Sequence, residues 1–108
     1  MEDPYSVQME KLARYARAMG NAKRILILRY LVSKGPLYFC DIHKILPIAK
    51  ATVSQHLAEL KNAGLVVSEE LPPKVKYSID CEAWCEAKRL MTRFWNEEDS
   101  CGCFSLEK

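Results

Sequence analysis

The sequence predicts a mainly α domain carrying one small β-hairpin, and three observations lead there. Apolar residues recur at steps of three and four in five separate segments, the spacing of one helix face. Only Val75 to Ile79 alternates with the period of two that marks a strand, and Leu65-Val66-Val67 precedes it as a partner across the turn Leu71-Pro72-Pro73-Lys74. The chain has 108 residues, 49% apolar and 28% charged, the size and composition of one globular domain rather than of a disordered segment.

In order along the chain, a first helix is expected over Ser6 to Met19, with Met9, Leu12, Ala16 and Met19 as its stripe. Gly20-Asn21 breaks it, and Asn21 is placed to cap a second helix over about Ala22 to Ser33 with Ile25, Leu28, Leu31 and Val32 inward. Lys34-Gly35-Pro36 ends that helix. A short third helix, about Tyr38 to Ile45, offers Phe39, Ile42 and Leu46 to the core. Pro47 turns the chain. A fourth helix then runs from about Lys50 to Ala63, with Val53, Leu57 and Leu60 inside and Gly64 as its stop. After the hairpin, Asp80 caps a fifth helix, about Cys81 to Trp95, whose stripe is Trp84, Ala87, Met91 and Phe94. Residues 1–96 thus read as one domain, and residues 97–108, acidic and aperiodic, as a mobile cysteine-containing tail. This order is that of a winged helix-turn-helix with five helices, in which the helix after the turn enters the DNA major groove and the hairpin forms the wing.

Sixteen Lys and Arg against fourteen Asp and Glu leave a net charge of +2, a balance that selects no partner by itself. Its distribution is more telling. From Asn21 to Pro47 the charges are Lys23, Arg24, Arg29, Lys34 and Lys44, opposed only by Asp41, whereas the tail holds Glu97, Glu98, Asp99 and Glu107 against Lys108. A basic body with an acidic tail suits a polyanion. The longest apolar run, Ile25 to Leu28, is far shorter than a membrane span, and no signal-peptide pattern opens the chain, so a cytoplasmic protein away from the membrane is expected.

On the fourth helix Lys50, Ala51, Ser54, Gln55, Ala58 and Lys61 lie opposite the core stripe. Gln pairs bidentately with adenine, Thr52 and Ala51 suit a thymine methyl, and Ser serves either. Lys50 and Lys61 would reach phosphates, which give affinity without sequence information. His56 is read either as a base contact or as a side chain oriented by a bond to backbone or phosphate. In the wing, Lys74 and Lys76 are offset by Glu69 and Glu70, and two prolines stiffen the tip, so a weak phosphate contribution is expected. The rival reading is a winged helix that binds another protein with a solvated helix face. Such a domain would show flat salt dependence.

Thr52-Val53-Ser54-Gln55-His56-Leu57-Ala58-Glu59-Leu60-Lys61-Asn62-Ala63-Gly64-Leu65-Val66 resembles the recognition helix and following strand of ArsR/SmtB-type metalloregulatory repressors. Gly20-Asn21-Ala22-Lys23-Arg24-Ile25-Leu26-Ile27-Leu28 is similar to that family's second helix, and the resemblance spans about residues 8 to 95. It implies a homodimer paired through its first and last helices, with double-stranded operator DNA as partner and an effector that releases it. Trp84, Phe94 and Trp95 lie where a small domain has little core left to fill, which suits a subunit interface.

Five cysteines, Cys40, Cys81, Cys85, Cys101 and Cys103, are an odd number that argues against a secreted disulfide framework and for free thiols, metal ligands or redox switches. Leu37-Tyr38-Phe39-Cys40-Asp41-Ile42 is similar to the family's arsenic-sensing Cys-Val-Cys motif, with Cys40 at the second cysteine and Tyr38 replacing the first. Trivalent arsenic or antimony takes thiolates in a trigonal pyramid. Cys101-Gly102-Cys103 supplies two more, so the expected site is Cys40 with Cys101 and Cys103. Zinc is the competing ion, on Cys40, His43, Cys101 and Cys103. The family's zinc pattern on the last helix looks absent, since beside the matching Asp80 stand Glu82, Arg93 and Asn96. Oxidation of the same thiols is the other alternative. Cys40 also reads as a buried small apolar residue, and Cys81 and Cys85, four apart on one helix face, either chelate or pack. No oxyanion hole or substrate loop accompanies Cys40 and His43, so a thiol enzyme is not expected.

Overall fold

The computed structural model describes residues 3–96. The elements are α1 (Pro4–Ala18), α2 (Ala22–Lys34), β1 (Leu37–Tyr38), α3 (Phe39–Ile45), α4 (Lys50–Asn62), β2 (Val66–Leu71), β3 (Lys74–Ile79) and α5 (Cys81–Asn96). The five expected helices and the hairpin are all present, in the expected order.

Local chemistry sets most of the boundaries. Asp3 caps α1 by accepting from the Tyr5 N–H at 3.3 Å, with Pro4 opening the helix where a missing N–H costs nothing. Two residues earlier than expected, α1 therefore starts at Pro4. Asn21 caps α2 as anticipated, its side-chain oxygen accepting from Lys23 N–H at 2.9 Å and Arg24 N–H at 3.3 Å. Asp80 does the same for α5 through the Ala83 N–H at 3.1 Å. Helix α4 ends on Gly64 at φ +89°, which lets the Leu65 N–H return to the Leu60 carbonyl at 3.1 Å.

The sheet has three strands in the order β1-β3-β2, all antiparallel. Leu37 pairs with Tyr77 and Tyr38 with Lys76, so Tyr38 is a strand residue and α3 begins one residue after its expected start. Strand β2 continues to Leu71, past the Val67 at which the apolar run stops, because Glu69 and Glu70 find partners in Lys76 and Val75 across the ladder. Opposite charges facing each other across a ladder support the pairing.

The most deeply buried side chains are Ile42, Val53, Leu57, Leu60, Leu65 and Val66, where α3, α4 and β2 meet. Each is worth roughly 1.5–3 kcal/mol of transfer free energy. This packing seats α4 on the body. The inner faces of α3 and α4 are as expected, but those of α1 and α2 are turned. Helix α1 buries Tyr15 and Ala18 while Met9 and Ala16 are exposed, and α2 buries Ile27, Leu28 and Leu31 while Ile25 and Val32 are about half exposed. Across α1 and α5, Glu86 accepts from the Tyr15 hydroxyl and from Lys11 at 3.1 Å. These two bonds hold the Glu86 carboxyl below the usual carboxylate range, while burial and then the carboxylate push the Tyr15 phenol up.

Candidate nucleic-acid interface

Helix α3, the turn at residues 46–49 and α4 make the helix-turn-helix. The turn is pinned by two short bonds. The Ile48 N–H donates to the Leu46 carbonyl at 2.8 Å, and the Ile48 carbonyl lies 2.9 Å from His43 Nε2. His43, half-buried and stacked on Phe39, thus carries its proton on Nε2 and fixes how α4 leaves α3. Sequence reasoning offered His43 as a metal ligand, or as the base of an unexpected thiol enzyme, and not as a tie within the turn. Its local signal, a histidine one turn from a Pro-containing bend, was there to be read.

Helix α4 presents Lys50, Ala51, Thr52, Ser54, Gln55, Ala58 and Lys61 to solvent, with Val53, Leu57 and Leu60 beneath. No side chain caps its first turn at Ala49. Its leading N–H groups and the positive end of its dipole are therefore open to a phosphate oxygen. Lys61 Nζ donates to Ser68 Oγ at 2.9 Å, tying the far end of α4 to the wing.

His56 does not belong to that exposed face, which corrects the expectation of a base or phosphate contact. It is only 8% exposed, and its Nδ1 accepts from Arg24 Nε at 3.1 Å. Arg24 also donates from Nη1 to the Ala18 carbonyl at 3.3 Å, so one side chain ties the end of α1, the start of α2 and the middle of α4. Burial first, then the Arg24 and Lys23 cations, hold His56 below the ordinary histidine range. A neutral ring is what the bond requires, because Nδ1 must keep its lone pair. Sequence reasoning gave Arg24 no bonding role, because a residue three positions past a cap carries no hint of a partner on another helix.

In the wing, Lys74 and Lys76 bracket the Tyr38 ring, their ammonium groups 4.9 and 5.5 Å from its centre. Such contacts contribute about 0.5–1 kcal/mol at exposed sites. Tyr38 therefore orders the two wing cations. Among the thiols, Cys40, Cys81 and Cys85 are all exposed and unpaired, which sets aside burial of Cys40. Cys81 and Cys85 are likewise not packed within the single chain. Cys101 and Cys103 lie outside the described residues. Among the described residues no three of His, Cys, Asp and Glu converge to hold a metal ion.

Residues 21–68, which hold α2, α3, α4 and the start of the wing, match the family described as bacterial regulatory protein, arsR family. The HTH-type transcriptional regulator YgaV of Escherichia coli is 32% identical over 74 residues, covering 68% of this chain and 75% of that one. The chain belongs to the ArsR family. A cadmium resistance transcriptional regulatory protein CadC homolog of Staphylococcus aureus is 34% identical over 71 residues, 66% of this chain and 59% of that protein. The arsenical resistance operon repressor of Bacillus subtilis is 28% identical over 69 residues, 64% of this chain and 66% of that one. The fold itself recurs in an ArsR-like transcriptional regulator from Rhodococcus sp. RHA1, at a TM-score of 0.71 and 23% identity over 84% of this chain and 85% of that chain. This ArsR-family protein is thus a DNA-binding transcription regulator and not an enzyme. Among the described residues no helix is long and apolar enough to cross a membrane.

Proposed function

We propose that this ArsR-family chain is a homodimeric repressor that grips a two-fold symmetric operator with α4 and is released when a thiophilic metalloid binds Cys40 together with Cys101 and Cys103. The observation that carries the DNA part is the exposed, uncapped and cation-flanked face of α4. Gln55, Ser54, Thr52 and Ala51 read bases there, while Lys50 and Lys61 meet phosphates and Lys74 and Lys76 add a wing contact. The effector part is supported by the exposed Cys40 thiol in the first turn of α3, one short turn upstream of α4. Soft thiolates suit trivalent arsenic or antimony, and a relative carries arsenical resistance in its name. Joining Cys40 to the tail of residues 97–108 tilts α3, and α4 moves with it. A coupling of about 1–3 kcal/mol between the two sites suffices for release. Proton loss from the thiols makes sensing pH-dependent.

Zinc or cadmium is the second reading. The cadmium-linked relative favours it, and so does His43, whose Nε2 bond to a backbone carbonyl leaves Nδ1 as a lone-pair donor. Fluorescence anisotropy of a labelled duplex from the protein's own promoter separates the two. The expected result is release by arsenite or antimonite, abolished by Cys101→Ser/Cys103→Ser and unchanged by Cys81→Ser. Release by zinc or cadmium alone, lost in His43→Ala, would transfer the assignment to the metal. Release by peroxide alone would make oxidation the signal.

A further inference from the structure

Between α2 and the start of α5 lies an open groove of about 350 Å³ that neither the DNA face nor the thiols account for. Its walls are Met19, Ile25, Leu28, Val32 and the half-buried Trp84, and its one charged neighbour is Arg29. The volume falls in the usual range for small-molecule sites, about 300–1,000 Å³. Ile25 and Val32, 52% and 49% exposed, are the two residues whose apolar side chains the fold leaves facing outward on α2. Among the described residues the Arg29 guanidinium makes no hydrogen bond or ion pair. Helix α2 carries Lys23, Arg24, Arg29 and Lys34 and not one carboxylate. An apolar trough with an unneutralised guanidinium at its rim is complementary to a molecule with an apolar body and an anionic head. Nucleic acid offers the charge without the apolar body, so it does not fit the trough.

We propose that this groove binds a small organic carboxylate with an aromatic or branched aliphatic body, the carboxylate on Arg29 and the body against Trp84, Ile25 and Val32. Among the described residues no cysteine lines the groove. Its placement gives it leverage on DNA binding, because α2 forms one wall and the same helix holds α4 through the Arg24–His56 bond.

Trp84 and Trp95 are the chain's two tryptophans, so Trp95→Phe in the full chain leaves Trp84 as the sole reporter. Titration with 4-phenylbutyrate is expected to shift Trp84 emission saturably, with an affinity independent of protein concentration. Arg29→Gln should weaken phenylbutyrate by about tenfold while leaving the neutral 4-phenyl-1-butanol unaffected. Val32→Glu, a change at a half-exposed position, should abolish phenylbutyrate binding with the far-ultraviolet circular dichroism of the parent retained. Cys101→Ser/Cys103→Ser should not alter it, which keeps this result apart from the metalloid reading. The proposal fails if Trp84 emission shows no saturable change, or if Arg29→Gln binds phenylbutyrate as well as the parent. It also fails if the apparent affinity drops as protein concentration rises, since a second copy would then be filling the groove.

Discussion

At position 56 a histidine that cannot be protonated without losing its partner links acid sensitivity to the seat of the recognition helix. His56 Nδ1 accepts from Arg24, so the charged ring would both lose that bond and face a guanidinium 3.1 Å away. Its folded pKa is depressed below the ordinary 6.5, so the unfolded chain binds the proton more readily. Stability from the neutral ring is therefore complete above about pH 6.5 and is lost as pH falls from there through the lower folded value. Thermal midpoints should decline over that window, and His56→Gln, neutral at every pH, should remove that part of the decline. An unchanged slope in His56→Gln would show that the histidine carries none of it. Glu86, also depressed, acts only below about pH 4.5, so its loss begins at lower pH than that of His56. On the exposed side of the same helix, Gln55 and Lys50 should behave differently. Gln55→Ala should cost about 1–3 kcal/mol on the specific operator and almost nothing on random duplex. Lys50→Ala should weaken both and reduce the slope of log affinity against log salt by about one. Equal losses on both duplexes for Gln55→Ala would remove it from the base-reading set.

Among elements, α4 shows how a terminus fixes a packing geometry. Gly64 sits at φ +89°, and a Cβ added there would meet nothing within 4 Å, so any penalty for substitution is backbone strain alone. Gly64→Ala should lose about 1–2 kcal/mol, read as a fall of roughly 4–8 °C in the melting midpoint per kcal/mol for a domain of this size. A variant as stable as the parent would mean that the chain relaxes into another exit from α4. This terminus, like the Asn21 and Asp80 caps and the core stripe of α4, was legible because its signals are local. The inner face of α2 was not. Ile25, Leu26, Ile27, Leu28, Leu31 and Val32 surround most of its circumference, so periodicity alone could not choose the side that meets β3 and α4. Strand β1 was hidden for another reason: its two residues pair with Lys76 and Tyr77, far along the chain, and carry no alternation of their own. The exposed face of α4 was read correctly except at His56, whose burial depends on an arginine on a different helix. The thiol set was readable only as residue types, because no local pattern links Cys40 to cysteines so far along the chain.

For the whole molecule, the side chains left unburied carry the argument. Tyr5, Met9, Phe94 and Trp95 are 48%, 49%, 55% and 75% exposed, and the first three line one shallow depression where α1 meets α5. Helix α5 nevertheless has the pronounced two-sidedness of a helix built to pack, with Ala87 and Leu90 already satisfied inside. A domain of this size buries only about two-thirds of its unfolded surface, so apolar area of this kind is a costly thing to leave in water. Pairing α1 and α5 with the same helices of a second copy would cover it on a closed two-fold interface and set two α4 helices for successive major grooves. Sedimentation velocity at micromolar concentration should therefore give a dimer, and Phe94→Glu/Trp95→Glu should give a monomer with nearly the parent helix content. Operator affinity should fall by roughly 10²–10⁴, the gain that linking two half-site contacts supplies without any new contact. Binding to a single half-site should change little, since Lys50, Lys61 and the rest of α4 are untouched. A double variant that still sediments as a dimer would place the interface elsewhere, and one that is monomeric yet keeps full operator affinity would show that one recognition helix is enough.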